Sequence, residues 1–588
     1  MKIARELLLM QLLLLAGLVD LTAAATVERE WTVEWVDYDM DGIFTRKAIG
    51  INGQWPIAAV EADLGDELVI HVHNGLAETT SLHFHGLFQN GTSYYDGAVM
   101  ATECGVPPGG SFTYRVALEQ AGTYWIHSHS KSQTADGLRL PLVVRDAKEK
   151  RIYAYDDEIV VSLQDWFRES ATDLMRQFSS ADPHVRFRPV IPYAIVGGRC
   201  ATNARLHFVR GKTYRIRLAN IGSSFDFHFS IDAHPLRIIE VDGIAVRAHA
   251  ARGVTLGAGQ RASVLVTAMS DATEASWNYV FHADMYTELL EMPRYNPLNF
   301  TGVIEYSADA RTRREHDGGA AWTTVEDQDL EPLDREPLLP EPDMSVTLDA
   351  YSGVFSDSSF RHSFNNVSYV APAVPAVLTA LTAGELAGDS AVYGHQSNTH
   401  VLRHLDVVDV TVNNHDYYAH PFHLHGHAFQ IVETGSIRRG VVRAKQALES
   451  PVRRDTVVVR GGDYAVLRFR ADNPGVWLLH CHIDFHVMLG LQMTFVEAPD
   501  VLQRRVAKHG GLPPMLRENC ITQGIKTAGN AAGRAGLDLG ALNATEPTPN
   551  ADQFESYDPP SGWQLLSYIV HGNKNNVDAI ATPTHSSG

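Results

Sequence analysis

Short runs in which apolar and polar residues alternate recur along the chain, with turn residues between them. Examples are 67–72, 214–218 and 465–469. Because successive side chains of a strand point to opposite faces, this alternation predicts half-buried β-strands. Many short strands with such spacing favour antiparallel sandwiches or barrels. The few helix-like stretches, such as 170–178, are predicted to be connections.

Length and composition predict several domains. A chain of 588 residues exceeds one hydrophobic core, and its length suggests about three to four domains. The segment 308–344 is rich in charge and proline and is predicted to be a linker. The other expected parts are β-domains at 26–148, 149–307 and 345–525, followed by a C-terminal extension at 526–588. The longest apolar run of that extension, at 565–570, is too short to span a membrane.

The N-terminus, 1–25, has the features of a secretion signal. Lys2 and Arg5 precede an apolar run from Leu7 to Val19, and Ala23–Ala25 offers a small-x-small cleavage site. A membrane anchor is the alternative, but the run is short for that role. Four Asn-x-Ser/Thr glycosylation sequons are also typical of an exported chain: Asn90, Asn299, Asn366 and Asn543. We therefore expect a secreted protein, extracellular or associated with the cell wall.

The net charge of −20 narrows the range of partners. Such an acidic chain is a poor match for nucleic acid or for an anionic membrane surface. A neutral or cationic small substrate fits it, and the charge does not choose between the two. The sequence leaves the oligomeric state open.

The segment 480–486, His-Cys-His-Ile-Asp-Phe-His, predicts a copper site. Cys481 lies between two histidines, His486 follows five residues later, and Leu491 follows ten residues later. A thiolate with two imidazoles and a weak or absent axial ligand makes a blue-copper electron-transfer site. The histidines that flank Cys481 give an electron a short covalent route to further metal ions.

Four His-x-His pairs supply the ligands for such ions. They are His83/His85, His127/His129, His423/His425 and His480/His482. Residues i and i+2 of a strand share a face, so each pair directs two imidazoles to one place. Eight imidazoles suffice for three copper ions, and His420 and His486 remain to join Cys481. Zinc hydrolases, the alternative, need carboxylate ligands or an open water position. We expect His427 to support a ligand or the fold.

Further segments carry a resemblance to a known family. They are 81–92, 122–129 and 472–477, which contain Ser-Leu-His-Phe-His-Gly-Leu, Gly-Thr-Tyr-Trp-Ile-His-Ser-His and Asp-Asn-Pro-Gly-Val-Trp. With the histidine clusters, they make the chain resemble the multicopper oxidases over nearly its whole length. Within that family it is most similar to the fungal iron-uptake ferroxidases and the related pigment oxidases. The resemblance implies an all-β fold of three cupredoxin-like Greek-key domains, and four copper ions that reduce dioxygen to water.

The resemblance also implies roles for individual residues. Type 2 copper would be bound by His83 and His423. The type 3 pair would be bound by His85, His127, His129, His425, His480 and His482. Type 1 copper would be bound by Cys481, His420 and His486. Leu491 would occupy the axial position without coordinating, which favours a higher potential.

Two acids and two cysteines have family counterparts as well. Asp96 and Asp484 would supply protons to the copper cluster, because reduction of dioxygen to water consumes four of them. The alternative for Asp96 is a turn residue before glycine. Cys104 and Cys520 would form a disulfide, which secretion allows. Cys200 is then a free thiol, an intermolecular partner or a small buried apolar residue.

The electron donor is the open question. Family ferroxidases use acids beside the type 1 histidines, and Asp416 lies four residues before His420. Glu291 approximately replaces a second acid. Arg188 stands where a third is expected, and its charge would cost about 1–4 kcal/mol against Fe²⁺ at contact distance. Without a functional role, Asp416 would be a solvated loop acid and Arg188 would be a surface arginine.

We predict a laccase-like oxidase that takes electrons from phenolic pigment or secondary-metabolite precursors. Arg188 and the expected absence of a C-terminal membrane span favour this donor. Asp416 would then accept the phenol proton as the electron leaves. Oxidation of Fe(II) for iron uptake is the alternative. A non-catalytic copper-binding protein is disfavoured, since a copper carrier does not need sites that are joined by an electron-transfer path.

Overall fold

A computed structural model describes residues 24–186, 190, 192–286, 298–314, 325–437, 440–445 and 449–540. Several predicted features lie wholly or partly outside these residues: most of the signal at 1–25, Arg188, Glu291, Asn543 and the part of the C-terminal extension beyond 540.

The first β-unit consists of two four-stranded sheets, in the orders β2-β1-β4-β6 and β3-β8-β7-β5. Its strands are β1 (Thr26–Asp39), β2 (Thr45–Ile51), β3 (Val60–Asp63), β4 (Glu67–Asn74), β5 (His83–His85), β6 (Ser111–Ala117), β7 (Gly122–His127) and β8 (Arg139–Arg145). Strand β6 alternates buried and accessible residues because only one of its faces meets the core. Strand β7 is buried at every position and carries a predicted ligand, His127, at its end.

The second β-unit also consists of two sheets, in the orders β11-β10-β9-β13-β18-β15-β16 and β12-β20-β19-β14-β17, with β21 paired to β19. Its strands are β9 (Asp157–Trp166), β10 (Tyr193–Val196), β11 (Arg199–Cys200), β12 (Arg205–His207), β13 (Thr213–Asn220), β14 (Asp226–Ile231), β15 (Leu236–Val241), β16 (Ile244–Ala251), β17 (Gly253–Leu256), β18 (Arg261–Thr267), β19 (Asn278–Tyr286), β20 (Thr301–Glu305) and β21 (Thr312–Arg313).

The third β-unit repeats the arrangement, in the orders β23-β22-β25-β31-β27-β28 and β24-β33-β32-β26-β30, with β29 paired to β27. Its strands are β22 (Met344–Val354), β23 (Phe360–Phe364), β24 (Thr399–Leu402), β25 (Val407–Asn414), β26 (His420–Leu424), β27 (Phe429–Ser436), β28 (Val441–Lys445), β29 (Arg453–Arg454), β30 (Thr456–Val459), β31 (Asp463–Arg470), β32 (Gly475–Cys481) and β33 (Gln492–Glu497).

Helices are short and connect these sheets. They are α1 (Glu149–Ile152), α2 (Ala171–Phe178), α3 (Pro183–Arg186), α4 (Ala376–Thr382), α5 (Asp484–Met488), α6 (Pro499–Lys508) and α7 (Pro514–Thr522). Single 3₁₀ turns occur at Ser93–Tyr95, Ala201–Asn203, Glu274–Ser276, Asp327–Asp329, Gly384–Gly388, Ser390–Tyr393 and His395–Ser397. Within the described residues, no helix is long and apolar enough to cross a membrane.

The predicted all-β fold is confirmed, with two differences. The three runs chosen from the sequence lie in β4, β13 and β31, and the helix-like stretch forms α2. The sheets are mixed, because β1, β9 and β22 each pair in parallel with a later strand. Strand β13 is also buried on both faces. Its alternating Arg215 and Arg217 lie inside the protein, where both contact the buried carboxylate of Glu240.

The described part of the 308–344 segment packs against the second and third β-units. Leu330 is buried, and Pro332 forms a β-bridge with Val246. Arg454 pairs with Asp327 at 2.6 Å. These contacts hold the connection against the surface instead of leaving it as a free tether.

Candidate metal centre

The eight histidines of the His-x-His pairs meet between the first and third β-units. His83 is the cross-strand partner of His127 on β5 and β7, and His423 is the partner of His480 on β26 and β32. Their rings therefore project from two sheets into one space. Seven of the eight are buried, and His129 is half-buried.

Within this cluster, the ring nitrogens converge at metal-site distances. His425 Nε2 lies 2.9 Å from His480 Nε2, and His129 Nε2 lies 3.4 Å from the same atom. On the other side, His482 Nε2 lies 3.1 Å from His85 Nδ1. The rings of His83 and His425 stack with centroids 4.0 Å apart, which joins the two sides.

Hydrogen bonds at the periphery orient the rings. Nδ1 of His83 donates to the carbonyl of Asp96, Nδ1 of His127 to that of Ser128, Nδ1 of His423 to that of Asp455, and Nδ1 of His480 to that of Cys481, at 2.7–2.9 Å. The inward Nε2 atoms of His83, His127 and His423 have no hydrogen-bond partner among the described residues. Metal-binding histidines are held in this way, with one nitrogen anchored and the other free for the ion.

The protonation state of the cluster suits copper. Burial, together with neighbouring imidazoles, lowers the pKa of His127, His425 and His480 well below 6.5. The same causes lower the pKa of His129 to about 3. Neutral imidazole is the form that ligates a metal. The buried, mutually facing nitrogens therefore fit the three ions of a trinuclear copper cluster.

Cys481, His420 and His486 form a second site. Cys481 Sγ lies 3.4 Å from His420 Nδ1 and 3.7 Å from His486 Nδ1, and the two Nδ1 atoms are 3.1 Å apart. Leu491 is fully buried, and its carbonyl accepts a hydrogen bond from the Cys481 amide. Burial raises the pKa of the Cys481 thiol, so a thiolate here needs a cation beside it. This donor set fits one type 1 copper.

The Cys481 site is connected to the histidine cluster by the peptide chain and by a hydrogen bond. His480 and His482 are the chain neighbours of Cys481, and His480 Nδ1 also donates to the Cys481 carbonyl at 2.7 Å. An electron has both a covalent and a hydrogen-bonded path from the sulfur to the trinuclear site.

Asp96 lies fully buried inside the trinuclear site. Its Oδ2 accepts a hydrogen bond from Nδ1 of His425 at 2.8 Å, and its Oδ1 lies 3.2 Å from Nδ1 of His83. It thus contacts one predicted type 2 ligand and one predicted type 3 ligand. This position is the one from which a carboxylate could deliver protons to the cluster.

Asp484 lines a cavity of about 350 Å³ that reaches four histidines predicted to bind type 3 copper, His127, His129, His480 and His482. Burial raises the pKa of its carboxyl to about 8, although the Ala135 amide and Arg139 oppose this rise. An acid that is still protonated at neutral pH suits the proton-supplying role predicted for it.

Asp455 contributes to the site but was not anticipated from the sequence. Its carboxylate accepts two hydrogen bonds from Arg261, at 2.7 and 2.6 Å, and a third from His85 Nε2 at 3.1 Å. Because Nε2 is held there, His85 presents Nδ1 to the cluster. The sequence shows only a charged triplet, 453–455, before an apolar strand, and this pattern does not predict that Asp455 would contact Arg261 and His85.

His427 supports the fold around the cluster, in agreement with its sequence interpretation. Its Nδ1 donates to the carbonyl of His425 at 3.1 Å, and its Nε2 pairs with buried Glu497 at 3.0 Å. The pKa of His427 is raised despite burial, because Glu497 favours its protonated form.

Of the predicted donor-site residues, Asp416 lies beside the predicted type 1 ligand His420. Its Oδ2 accepts a hydrogen bond from His420 Nε2 at 2.9 Å, and Ser352 donates to Oδ1 at 2.6 Å. Burial alone would raise the pKa of Asp416, but hydrogen bonding and charge from His362 and His420 hold it well below the ordinary range. His362, another residue absent from the sequence predictions, stacks on His486 with ring centroids 4.2 Å apart. As a lone histidine far from the ligands in sequence, it carries no motif.

Remaining predictions concern the surface and the cysteines. Cys104 and Cys520 form the disulfide that the resemblance implies, across 416 residues. Cys200 is a buried free thiol. The sequon asparagines at 90, 299 and 366 are exposed, and their glycosylation stays a prediction.

Similarity to known proteins extends over most of the chain. Three multicopper oxidase family models match 32–149, 157–308 and 369–501. The iron transport multicopper oxidase fetC of Epichloe festucae is 39% identical over 547 residues, 91% of this chain and 86% of that protein. The iron transport multicopper oxidase fio1 of Schizosaccharomyces pombe is 36% identical over 550 residues, 91% of this chain and 84% of that protein.

Two solved structures are similar to this chain over most of its length. Fet3p, a multicopper oxidase that functions in iron import, matches with a TM-score of 0.81 and 32% identity, over 89% of this chain and 99% of its own. A laccase from Botrytis aclada matches with a TM-score of 0.73 and 27% identity, over 85% and 92%. With three matching family models and relatives of this similarity, the chain belongs to the multicopper oxidase family, and it is an oxidoreductase that uses one type 1, one type 2 and two type 3 copper ions with dioxygen as acceptor.

Proposed function

We propose that the protein oxidises Fe(II) to Fe(III) and passes the electrons to dioxygen. The carrying observation is the carboxylate of Asp416, which accepts a hydrogen bond from His420, a predicted type 1 ligand. The similarity to proteins named for iron transport supports the same donor. The sequence alone favoured a phenolic electron donor and kept Fe(II) as the alternative, and we now propose Fe(II). The arguments from Arg188 and Glu291 stay predictions, since both residues lie outside the described part of the chain.

Asp416 acts in two ways under this proposal. Its low pKa keeps it negative across the physiological range, so it attracts a divalent cation to the face beside His420. A carboxylate also stabilises Fe(III) more than Fe(II), which makes iron a better electron donor. His486, the partly accessible ligand, adds a second edge at which electrons can enter.

Other residues serve the later steps. Bound copper supplies the one-electron acceptor at Cys481 and the four-electron reduction of dioxygen at the histidine cluster. Cys481 and its neighbours His480 and His482 carry each electron inward. Asp484 holds a proton at the wall of the cavity, and Asp96 holds the orientation of His83 and His425.

Steady-state oxygen consumption by the copper-loaded protein, with Fe(II) and with a panel of phenols, tests the proposal. Asp416→Asn should lower kcat/KM for Fe(II) by roughly thirtyfold. That figure corresponds to the loss of about 2 kcal/mol of attraction for a divalent cation at 4 Å in water. Asp500→Asn, at an exposed i,i+4 pair on α6, removes the same charge as a control and should change little.

Oxidation of phenols is the second candidate, favoured by the similarity to the Botrytis aclada laccase. Rapid phenol turnover, combined with a high KM for Fe(II) that Asp416→Asn leaves unchanged, would replace the iron proposal with this one. In that case, Asp416 would serve as the acceptor of the phenol proton.

We also propose that the protein works outside the cytoplasm. A disulfide between Cys104 and Cys520 is favoured in an oxidising compartment. Secretion into culture medium, with a mobility shift after removal of N-linked glycans, is the expected result. An unglycosylated intracellular protein would contradict it.

A further inference from the structure

His362 lies beside the two imidazoles predicted to bind type 1 copper, closer to His486 than to His420. It is 2% exposed, and its ring stacks on that of His486 at 4.2 Å with an interplanar angle of 28°. Its Nδ1 lies 3.5 Å from Oδ2 of Asp416, the oxygen that accepts the hydrogen bond from His420. One side chain therefore contacts His486 directly and His420 through Asp416, and one of its ring nitrogens lies within 4.8 Å of ring nitrogens of His420 and His486.

The sheet fixes His362 in this place. His362 on β23 is the cross-strand partner of Ser352 on β22, and Ser352 donates to Oδ1 of Asp416. The His362 amide donates to the carbonyl of Leu489, which anchors β23 to the end of α5. Ser352 and His362 thus approach the same carboxylate from adjacent strands, one toward each oxygen.

We propose that His362 is a positioning residue that sets the reduction potential of the type 1 copper. A carboxylate that accepts a hydrogen bond from a ligand histidine raises the basicity of that ligand. A more basic His420 stabilises Cu(II) over Cu(I). The polar edge of His362 competes with His420 for the charge of Asp416, and its ring restrains His486 by stacking.

The proposal rests on the copper chemistry of the family and not on the identity of the donor. It can therefore stand or fall separately from the proposed iron oxidation. Reduction potential and EPR spectrum, measured without any substrate, are its readouts.

Two variants of the copper-loaded protein separate the two contacts. His362→Phe keeps the stacked ring but removes the nitrogen, so Asp416 gives more of its charge to His420. The equilibrium constant for reduction of the type 1 copper should fall about three- to tenfold, and tenfold is 59 mV for one electron. His362→Asn keeps an N–H near the position of Nδ1 but loses the stack. It should hold the equilibrium constant within twofold and broaden the type 1 EPR signal.

Several results would overturn this role. One is a type 1 reduction potential that is unchanged or higher in His362→Phe. Another is an equal shift of that potential in both variants, which would mean that His362 acts only through packing. If His362→Phe fails to retain copper, Ser352→Ala replaces it, because it removes the other donor to Asp416 and touches neither ligand. Ser352→Ala should also lower the potential, and an unchanged value would refute the competition for Asp416 on which the proposal depends.

Discussion

Glu103, buried in the first β-unit, should make the protein less stable as the pH rises. Its side chain accepts a hydrogen bond from the hydroxyl of Tyr114 at 3.0 Å, while Oε2 has no hydrogen-bond partner among the described residues. Burial raises the pKa of Glu103 from 4.5 to about 8; the Tyr114 hydrogen bond opposes this rise and the charge of Asp96 adds to it. Between those pH values the folded chain holds a proton that the unfolded chain releases.

The sign and size of the effect follow from linkage. Stability from this group is fully present below about pH 4.5 and is lost as the pH rises toward 8. At 1.36 kcal/mol per pKa unit, the difference between 4.5 and about 8 corresponds to roughly 5 kcal/mol. Glu103→Gln keeps the shape and an acceptor for Tyr114, but it has no proton to lose. The variant should match the wild type near pH 5 and exceed it by several kcal/mol at pH 8.

Unfolding in urea, followed by tryptophan fluorescence at pH 5, 6, 7 and 8, measures this difference. Glu119→Gln, the same substitution at an exposed position of the same β-unit, is the control and should show no trend with pH. A Glu103→Gln advantage that stays constant from pH 5 to 8 would refute the reasoning, because it would mean that the folded chain tolerates the ionised carboxylate.

Three further changes have defined outcomes. Cys104→Ser should cost about 2–5 kcal/mol of stability, because it opens a very long closed loop; an unchanged melting temperature would contradict this. Asp455→Asn should cost about 3–5 kcal/mol and lower the copper content measured by mass spectrometry, since it leaves buried Arg261 with only the more distant Asp242 as an acidic partner and releases His85. Full copper occupancy in that variant would argue against a supporting role. Leu491→Met should lower the type 1 potential in a redox titration by adding a weak axial donor, and an equal or higher potential would mean that the sulfur stays away from the copper.

The convergence of the eight histidines, and of Cys481 with His420 and His486, could be predicted from the sequence because the spacing within each motif is local. Two histidines at i and i+2 share a strand face whatever the rest of the chain does, and a cysteine between histidines is uncommon outside copper chemistry. The repeated alternation of polar and apolar residues gave the fold class for the same reason.

Contacts between distant strands were beyond such reasoning. Asp455 meets Arg261 from another β-unit, and His362 reaches Asp416 only because β22 and β23 pair in one register. Strand β13 looked amphipathic, yet its arginines are buried beside Glu240. Each of these depends on which charged partner the tertiary fold brings near, and the spacing of residues along the chain does not contain that information.

The eight histidines predicted to hold the trinuclear cluster come from two distant parts of the chain. The first β-unit supplies four histidines and the third supplies the other four, and the disulfide joins the same two regions. Neither unit alone holds all eight histidines, so binding at this cluster requires that both units be folded and brought together, whereas the predicted type 1 donors Cys481, His420 and His486 all lie in the third unit. Copper content thereby reports on the integrity of the protein: proteolytic loss of the third unit would remove four of the eight histidines and all three predicted type 1 donors.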